Sequence, residues 1–234
     1  MTSPDNQLLE MLSRAGRRQL ASIANLVPLA MGESMGEPGA ATPYVYFPVD
    51  GFVSLITPID GKPCLEVGMV GREGMVGSHV ALGIFTTPLH TVVQGSGRAW
   101  RIGARAFSAE LQQNPPLQRL MNRYIHVLMH QFSTVAACLR FHPIGKRLAR
   151  WLLMSHDRAQ ADQFHVTHEF LAYMLGVRRV GITNAAGELQ REGLIEYHHG
   201  ELRVFDRPGL EKAACTCYAT ESLIYSDNLQ MGKK

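Results

Sequence analysis

The chain has 234 residues, 46% of them hydrophobic and 18% charged, and a net charge of +3. That length can bury one large core or two modest ones, and we expect two domains. No apolar run approaches the roughly 20 residues of a membrane helix, the four cysteines give no paired framework, and no N-terminal segment resembles a secretion signal. A membrane-spanning protein is excluded, and a reduced cytoplasm is the expected setting.

From the N-terminus to about residue 30, Leu8, Leu9, Leu12, Leu20, Ile23 and Leu26 recur at broadly helical spacing and predict short helices. Arg14, Arg17 and Arg18 read as the solvated side of a helical cover rather than as a basic DNA contact. From Met31 to about Phe107 the pattern changes to short β-rich runs: Tyr44–Phe47, Phe52–Ile56, Leu65–Val70 and Thr91–Val93. The segments 48–51, 60–63 and 71–74, rich in Gly, Pro and Asp, divide them. Such spacing predicts an all-β barrel or jelly roll. A catalytic roll of the cupin kind would need a clustered histidine and carboxylate set. His79 and His90 are eleven positions apart, so no metal site is expected there.

Pro115-Pro116 start a long helix, where a missing N–H has no partner to lose. Along it Met121, Ile125, Leu128, Phe132, Val135 and Leu139 alternate spacings of four and three, the seam of a two-stranded coiled coil, which predicts a homodimer. A second edge, Leu117, Leu120, Tyr124 and Val127, is suited to cover the chain's own sheet. The plainer alternative is a helix buried within one subunit. His126 and His130 stand at i, i+4, a metal-compatible spacing, but no third ligand is evident in sequence nearby. Phe141-His142-Pro143 reads as a hinge, followed by Ile144, Leu148, Trp151 and Leu152 on the helix that supports the next unit.

In that unit Thr167 is an N-cap, and Phe170, Leu171 and Met174 share one helical face. Leu175-Gly176-Val177 supplies a tight turn, Arg178 opens a second helix, and Ile182, Ala185, Ala186 and Leu189 form its core stripe. Its other side offers Arg179, Val180, Thr183, Asn184, Gly187 and Arg191. An ordinary solvated helix would carry Glu and Lys here, whereas Arg and Asn make bidentate bonds to guanine and adenine edges. From His142 to Arg191 seven Lys and Arg stand against four Asp and Glu, a mild basic excess in the same segment. Gly193 ends the helix, and the alternating runs Ile195–His198 and Glu201–Val204 predict a β-hairpin wing. Beyond residues 206–209 a last helix is expected from Leu210 to Tyr218, then a polar tail ending in Lys233-Lys234. Cys215 and Cys217 read as packed or idle thiols rather than as a redox or metal pair.

The run from Gly176 to Ile195, Gly-Val-Arg-Arg-Val-Gly-Ile-Thr-Asn-Ala-Ala-Gly-Glu-Leu-Gln-Arg-Glu-Gly-Leu-Ile, resembles the recognition segment of the Crp/Fnr regulators, the cyclic-AMP receptor protein family, and looser similarity extends over nearly the whole chain. The resemblance implies an α+β chain: an N-terminal β-roll (jelly-roll, cyclic-nucleotide-binding-like) over 1–114, a dimerisation helix over 115–141, and a C-terminal winged helix-turn-helix over 142–234. It implies DNA contacts from Thr167, His168, Arg178, Arg179, Val180, Thr183 and Asn184, with Arg179 reading a base and Thr167 and Arg178 on the backbone. Val180 stands where many relatives have a base-reading glutamate, and Asn184 where the cyclic-AMP receptor has an arginine. The implied partners are a palindromic double-stranded operator, a second copy of the chain and RNA polymerase.

The same resemblance places an effector pocket at Gly77, Ser78, His90, Thr91 and Ser133. Relatives that bind cyclic AMP carry a Gly-Glu and an Arg-Ser pair; this chain has Gly77-Ser78 and Leu89-His90-Thr91 at the matching places. The phosphate-binding arginine is missing, so cyclic-nucleotide binding in the usual mode is not expected. With no cysteine before Cys64, an N-terminal iron–sulfur cluster is excluded on ligand count. No cofactor is predicted, and a haem-binding or orphan sensor stays open. A non-catalytic transcription regulator is the leading expectation. A ligand-binding or cupin-like enzymatic roll with a protein-contact helical domain is the alternative.

Overall fold

The computed structural model describes residues 6–229 apart from 60, 61, 160 and 199; the Asp60-Gly61 turn, His199 and Lys233-Lys234 lie outside the described residues. Two short helices, α1 (Gln7–Glu10) and α2 (Arg14–Ser22), open the chain. Buried Asn6 caps α1 by accepting from the Leu9 N–H, and its Nδ2 donates to the carbonyls of Pro48 and Gly74 at 2.8 and 3.0 Å. The cap itself thus ties the segment to the sheet. Leu8, Leu9, Leu12 and Leu20 are buried in a cluster with Val45, Phe47 and Phe107. The helical expectation fails after Ser22, because Ala24–Leu29 form strand β1. There Leu26 is exposed and Leu29 buried, and Pro28, with no N–H to donate, is tolerated because β1 lies at a sheet edge.

The remaining strands are β2 (Ser34–Gly36), β3 (Tyr44–Ile59), β4 (Lys62–Val70) and β5 (His90–Gly103), paired antiparallel in the order β1-β5-β3-β4 with β2 on β5. Tyr44–Phe47 and Phe52–Ile56 turn out to be one strand. Residues 48–51 between them are not a turn but a bulged stretch, with register shifts on both sides of Asp50. Pro48 fits at such an irregularity, and Gly51 adopts φ 74°, where a Cβ would lie 2.3 Å from the Gly95 carbonyl oxygen.

After α3 (Ala104–Gln113) comes α4 (Pro115–Phe141), with the bounds expected from Pro115 and the 141–143 hinge. Asn114 caps it by accepting from the Leu117 N–H. Leu117, Leu120, Tyr124 and Val127 face inward, and Tyr124 Oη donates to the Met75 carbonyl at 3.0 Å. The expected partner seam needs correction, since Met121, Leu128 and Val135 are only 0%, 4% and 8% exposed within the single chain. Both apolar edges turn toward the chain's own core, because a globular helix buries an arc wider than a two-position seam. Ile125, Phe132 and Leu139 are half-buried. The solvent side carries Asn122, His126, Met129, Ser133, Ala136 and Arg140, again at spacings of four and three, with Met129 62% exposed.

His142 is extended, as a residue before proline must be, and α5 (Ile144–Ala159) follows. The second unit contains β6 (Gln163–His165), α6 (His168–Met174), α7 (Arg179–Arg191), β7 (Ile195–His198), β8 (Glu201–Val204), α8 (Arg207–Ala213) and α9 (Cys217–Leu229). The wing is a three-stranded sheet, β6-β8-β7, whose first strand the sequence pattern did not announce. The expected helix from Leu210 to Tyr218 is two helices. Asp206 starts α8 early by accepting from the Gly209 N–H, and the backbone opens at Ala214, so that α9 can lay Glu221, Tyr225 and Leu229 inward alongside α4.

Helix α5 joins the two units. Its Leu148, Leu152 and Leu153 share one cluster with Phe52, Ile56 and Met69 of the roll and with Leu171, Ile182 and Leu189. Polar bonds cross the same boundary: Trp151 Nε1 donates to Glu66 Oε1 at 2.9 Å and Arg158 Nε to Glu73 at 2.7 Å, while Arg150 ties α5 to α9 by donating to Glu221 at 2.6 Å. Burial pushes the Glu66 carboxyl up from 4.5 to about 7, against the opposing hydrogen bonds from Ser54 and Trp151. Because the folded chain then holds this proton more tightly than the unfolded chain, its contribution to stability is complete below 4.5 and is lost as pH rises through about 7. Glu66→Gln should remove about 3 kcal/mol of that pH dependence in denaturant titrations across the window. An unchanged pH slope would mean that Glu66 ionises as freely in the folded protein as in the unfolded chain.

Candidate nucleic-acid interface

Local rules set the turn between α6 and α7. Thr167 accepts from the Phe170 N–H at 3.1 Å and starts α6, whose Leu171 and Met174 point into the core. At its end Gly176, with φ 60°, donates to the Tyr173 carbonyl while Val177 donates to that of Ala172, the paired bonds of a Schellman cap. Only a residue at ease in the left-handed region reverses the chain this tightly. Gly193 (φ 72°) ends α7 in the same way, through Gly193 to Gln190 and Leu194 to Leu189.

Between those caps Ile182, Ala185, Ala186 and Leu189 are buried. The small side chains, together with Gly181, whose Cβ would sit 2.8 Å from Ile144 Cδ1, let α7 approach α5 closely. This inward face dictates the outward one. Arg178, Arg179, Val180, Thr183 and Asn184 are all exposed on the first turns of α7, and among the described residues neither arginine has a carboxylate partner. Two guanidinium groups, an amide and a hydroxyl in one patch suit bidentate bonds to base edges and phosphates.

His168 is placed differently from its neighbours in the expected set. Its ring stacks on Tyr197 at 4.4 Å and 15°, and Nδ1 lies 3.2 Å from Thr183 Oγ1. Thr183 donates its own proton to the Arg179 carbonyl, which assigns the imidazole proton to Nδ1. Nε2 is buried without a partner among the described residues, and burial, then the Arg179 charge, holds the ring below the usual histidine range. His168 therefore acts as a brace joining α6, α7 and β7. Tyr197, which also donates to the Val166 carbonyl at 3.0 Å, completes the brace and was not among the expected site residues.

The expected effector residues are dispersed over several elements. Gly77 (φ 86°) and Ser78 begin a 3-10 helix over Ser78–Leu82; His90 lies 3.2 Å from Glu37; and Thr91 is buried where β5 meets β2. Ser133 faces solvent and donates back to the Met129 carbonyl, so it can line a pocket only where a second chain covers α4. A cavity of about 500 Å³ lies elsewhere, between the roll, α5 and α9, with Arg72, Glu73, Asp157, Arg158 and Tyr218 among its walls. Near the hinge, Cys138 and His142 meet Cys215 and Cys217, a grouping that adjacent spacing could not reveal because Cys138 and Cys215 are 77 positions apart.

Residues 146–213 match the Crp-like helix-turn-helix domain family. Over 225 residues the chain is 22% identical to the global nitrogen regulator of Synechococcus elongatus, covering 91% of this chain and 99% of that protein. A Crp/Fnr-family transcriptional regulator from Eubacterium rectale superposes with a TM-score of 0.69 at 16% identity, over 88% of this chain and 96% of its own. A Crp/Fnr-family regulator from Thermus thermophilus does so with a TM-score of 0.67 at 21% identity, over 81% and 98%.

Proposed function

We propose that the chain is a Crp/Fnr-type transcription regulator with a helix-turn-helix domain, and that it works as a homodimer reading a palindromic operator in the cytoplasm. RNA polymerase is the further partner this reading implies, and no catalytic step is assigned. The observation that carries it is the exposed patch of Arg178, Arg179, Thr183 and Asn184 on the first turns of α7, braced from behind by His168 and Tyr197. A helix so presented fits a major groove, and a two-fold pair of them fits two half-sites one helical turn apart.

Arg179 is the base reader in this account, and Arg178, one residue earlier at the N-cap, is a phosphate contact. Arg179→Ala should cost about 1–3 kcal/mol at one symmetric base pair, most strongly a G·C pair, and leave non-specific binding nearly intact. Arg178→Ala should weaken all duplexes by a similar factor and reduce the salt slope by about 1. Binding of every single-base operator variant at fixed salt separates the two. A uniform loss for Arg179→Ala would place it on the backbone.

The dimer seam we propose runs along Met129, Ser133 and Ala136, flanked by Ile125, Phe132 and Leu139. Paired Met129→Glu and Ala136→Glu would set like charges along a desolvated seam at a cost of several kcal/mol or about that, and dimers should dissociate while the fold survives. Sedimentation at micromolar concentration with unchanged circular dichroism checks this. A variant that stays dimeric would place the seam elsewhere.

A further inference from the structure

We propose that Cys138, His142, Cys215 and Cys217 form a tetrahedral Cys₃His site for one zinc ion, which fastens α9 to the end of α4 and to the hinge. The ligands come from separate elements: Cys138 from the last turns of α4, His142 from its C-cap, Cys215 from the link between α8 and α9, and Cys217 from the first position of α9. Their four ligand atoms all lie within 4.8 Å of one another. Cys138 Sγ is 3.5 Å from Cys215 Sγ, and Cys217 Sγ is 3.6 Å from His142 Nδ1. A zinc ion about 2.3 Å from sulfur and about 2.0–2.1 Å from nitrogen gives tetrahedral edges of roughly 3.5–3.8 Å. Those two separations are of that size, and a set of ligand atoms all within 4.8 Å of one another has room for a single ion rather than a cluster.

The surroundings suit this charge. Three thiolates and Zn²⁺ leave the site at −1, and the buried arginines Arg147 and Arg150 are both electrostatically coupled to its cysteines. Arg150 also pairs with Glu221 on α9, and Arg147 donates to the Leu175 carbonyl at the start of the helix-turn-helix turn. The site thus adjoins the hinge and, through Arg147, the base of the reading head. A disulfide between Cys138 and Cys215 is the competing chemistry. It would draw the sulfurs from 3.5 Å to about 2.05 Å, release two protons and two electrons to an oxidant, and leave Cys217 and His142 with no part in it.

The full-length protein, made without a polyhistidine tag and purified under reducing conditions, should carry one zinc per chain by elemental analysis. Cobalt should replace it with the visible bands of a tetrahedral thiolate complex. Cys215→Ser and Cys138→Ser should each lose the metal, whereas Cys64→Ser, which changes the remaining cysteine, should keep it. If those variants fail to fold, the wild-type protein still decides: zinc should shield the three site cysteines from alkylation, and chelation should expose them. Absence of bound zinc together with no cobalt spectrum would overturn the proposal. So would zinc retained in Cys215→Ser, or a Cys138–Cys215 disulfide in freshly reduced protein.

Discussion

Helix α5 buries Arg147, Arg150, Trp151 and Arg158 on one element, and the arrangement of both units follows from satisfying them. A buried guanidinium without a partner costs several kcal/mol, about enough to unfold a small domain, so each must meet an acceptor. The acceptors come from far apart: the Leu175 carbonyl, Glu221 on α9, Glu66 on β4 and Glu73 beyond it. Gln131 of α4 adds a bond to Glu221 at 2.5 Å. Sliding the reading head against the roll would break several of these bonds at once. The two units are therefore coupled through α5 by discrete bonds, which is the physical requirement for a change in one to bias the other.

At the reading head the same logic holds on a smaller scale. Apolar positions on α7 fix its rotation, Schellman caps fix its ends, and the His168–Tyr197 stack with the Thr183 bond fixes its tilt against the wing. On the outward side Thr183 shares in that brace, whereas the side chains of Arg178 and Arg179 have no carboxylate partner among the described residues. Bidentate recognition needs a rigid donor frame, since a reader that is about 1 Å too loose loses its geometry. Stability of the scaffold and specificity of the proposed contacts rest on the same residues.

The helix-turn-helix was legible because its determinants are local: a cap at Thr167, left-handed glycines at Gly176 and Gly193, and a stripe at Ile182, Ala185, Ala186 and Leu189. The bounds of α4 were legible from Pro115 and Pro143 for the same reason. Which of its faces looks outward was not, because Met121 and Leu128 are apolar whether they meet a partner or the chain's own roll. Strand β1 was hidden by leucines whose spacing also suits a helix, and β6 is too short to show alternation. Glu66, Glu73, Glu221 and the Cys138–His142–Cys215–Cys217 group acquire meaning only when residues roughly 70 to 90 positions apart come together, as with Glu66 and Trp151, 85 apart.

A homodimer that presents two α7 helices about a two-fold axis makes one demand on DNA that no monomeric or protein-contact role shares. The direct measurement is selection of bound sequences from a pool of random duplexes by the purified full-length protein at fixed salt. The account predicts enrichment of an inverted repeat whose half-site centres lie about 34 Å, or roughly 10 base pairs, apart. Recovery of a single asymmetric half-site, or of no enriched sequence at all, would contradict it.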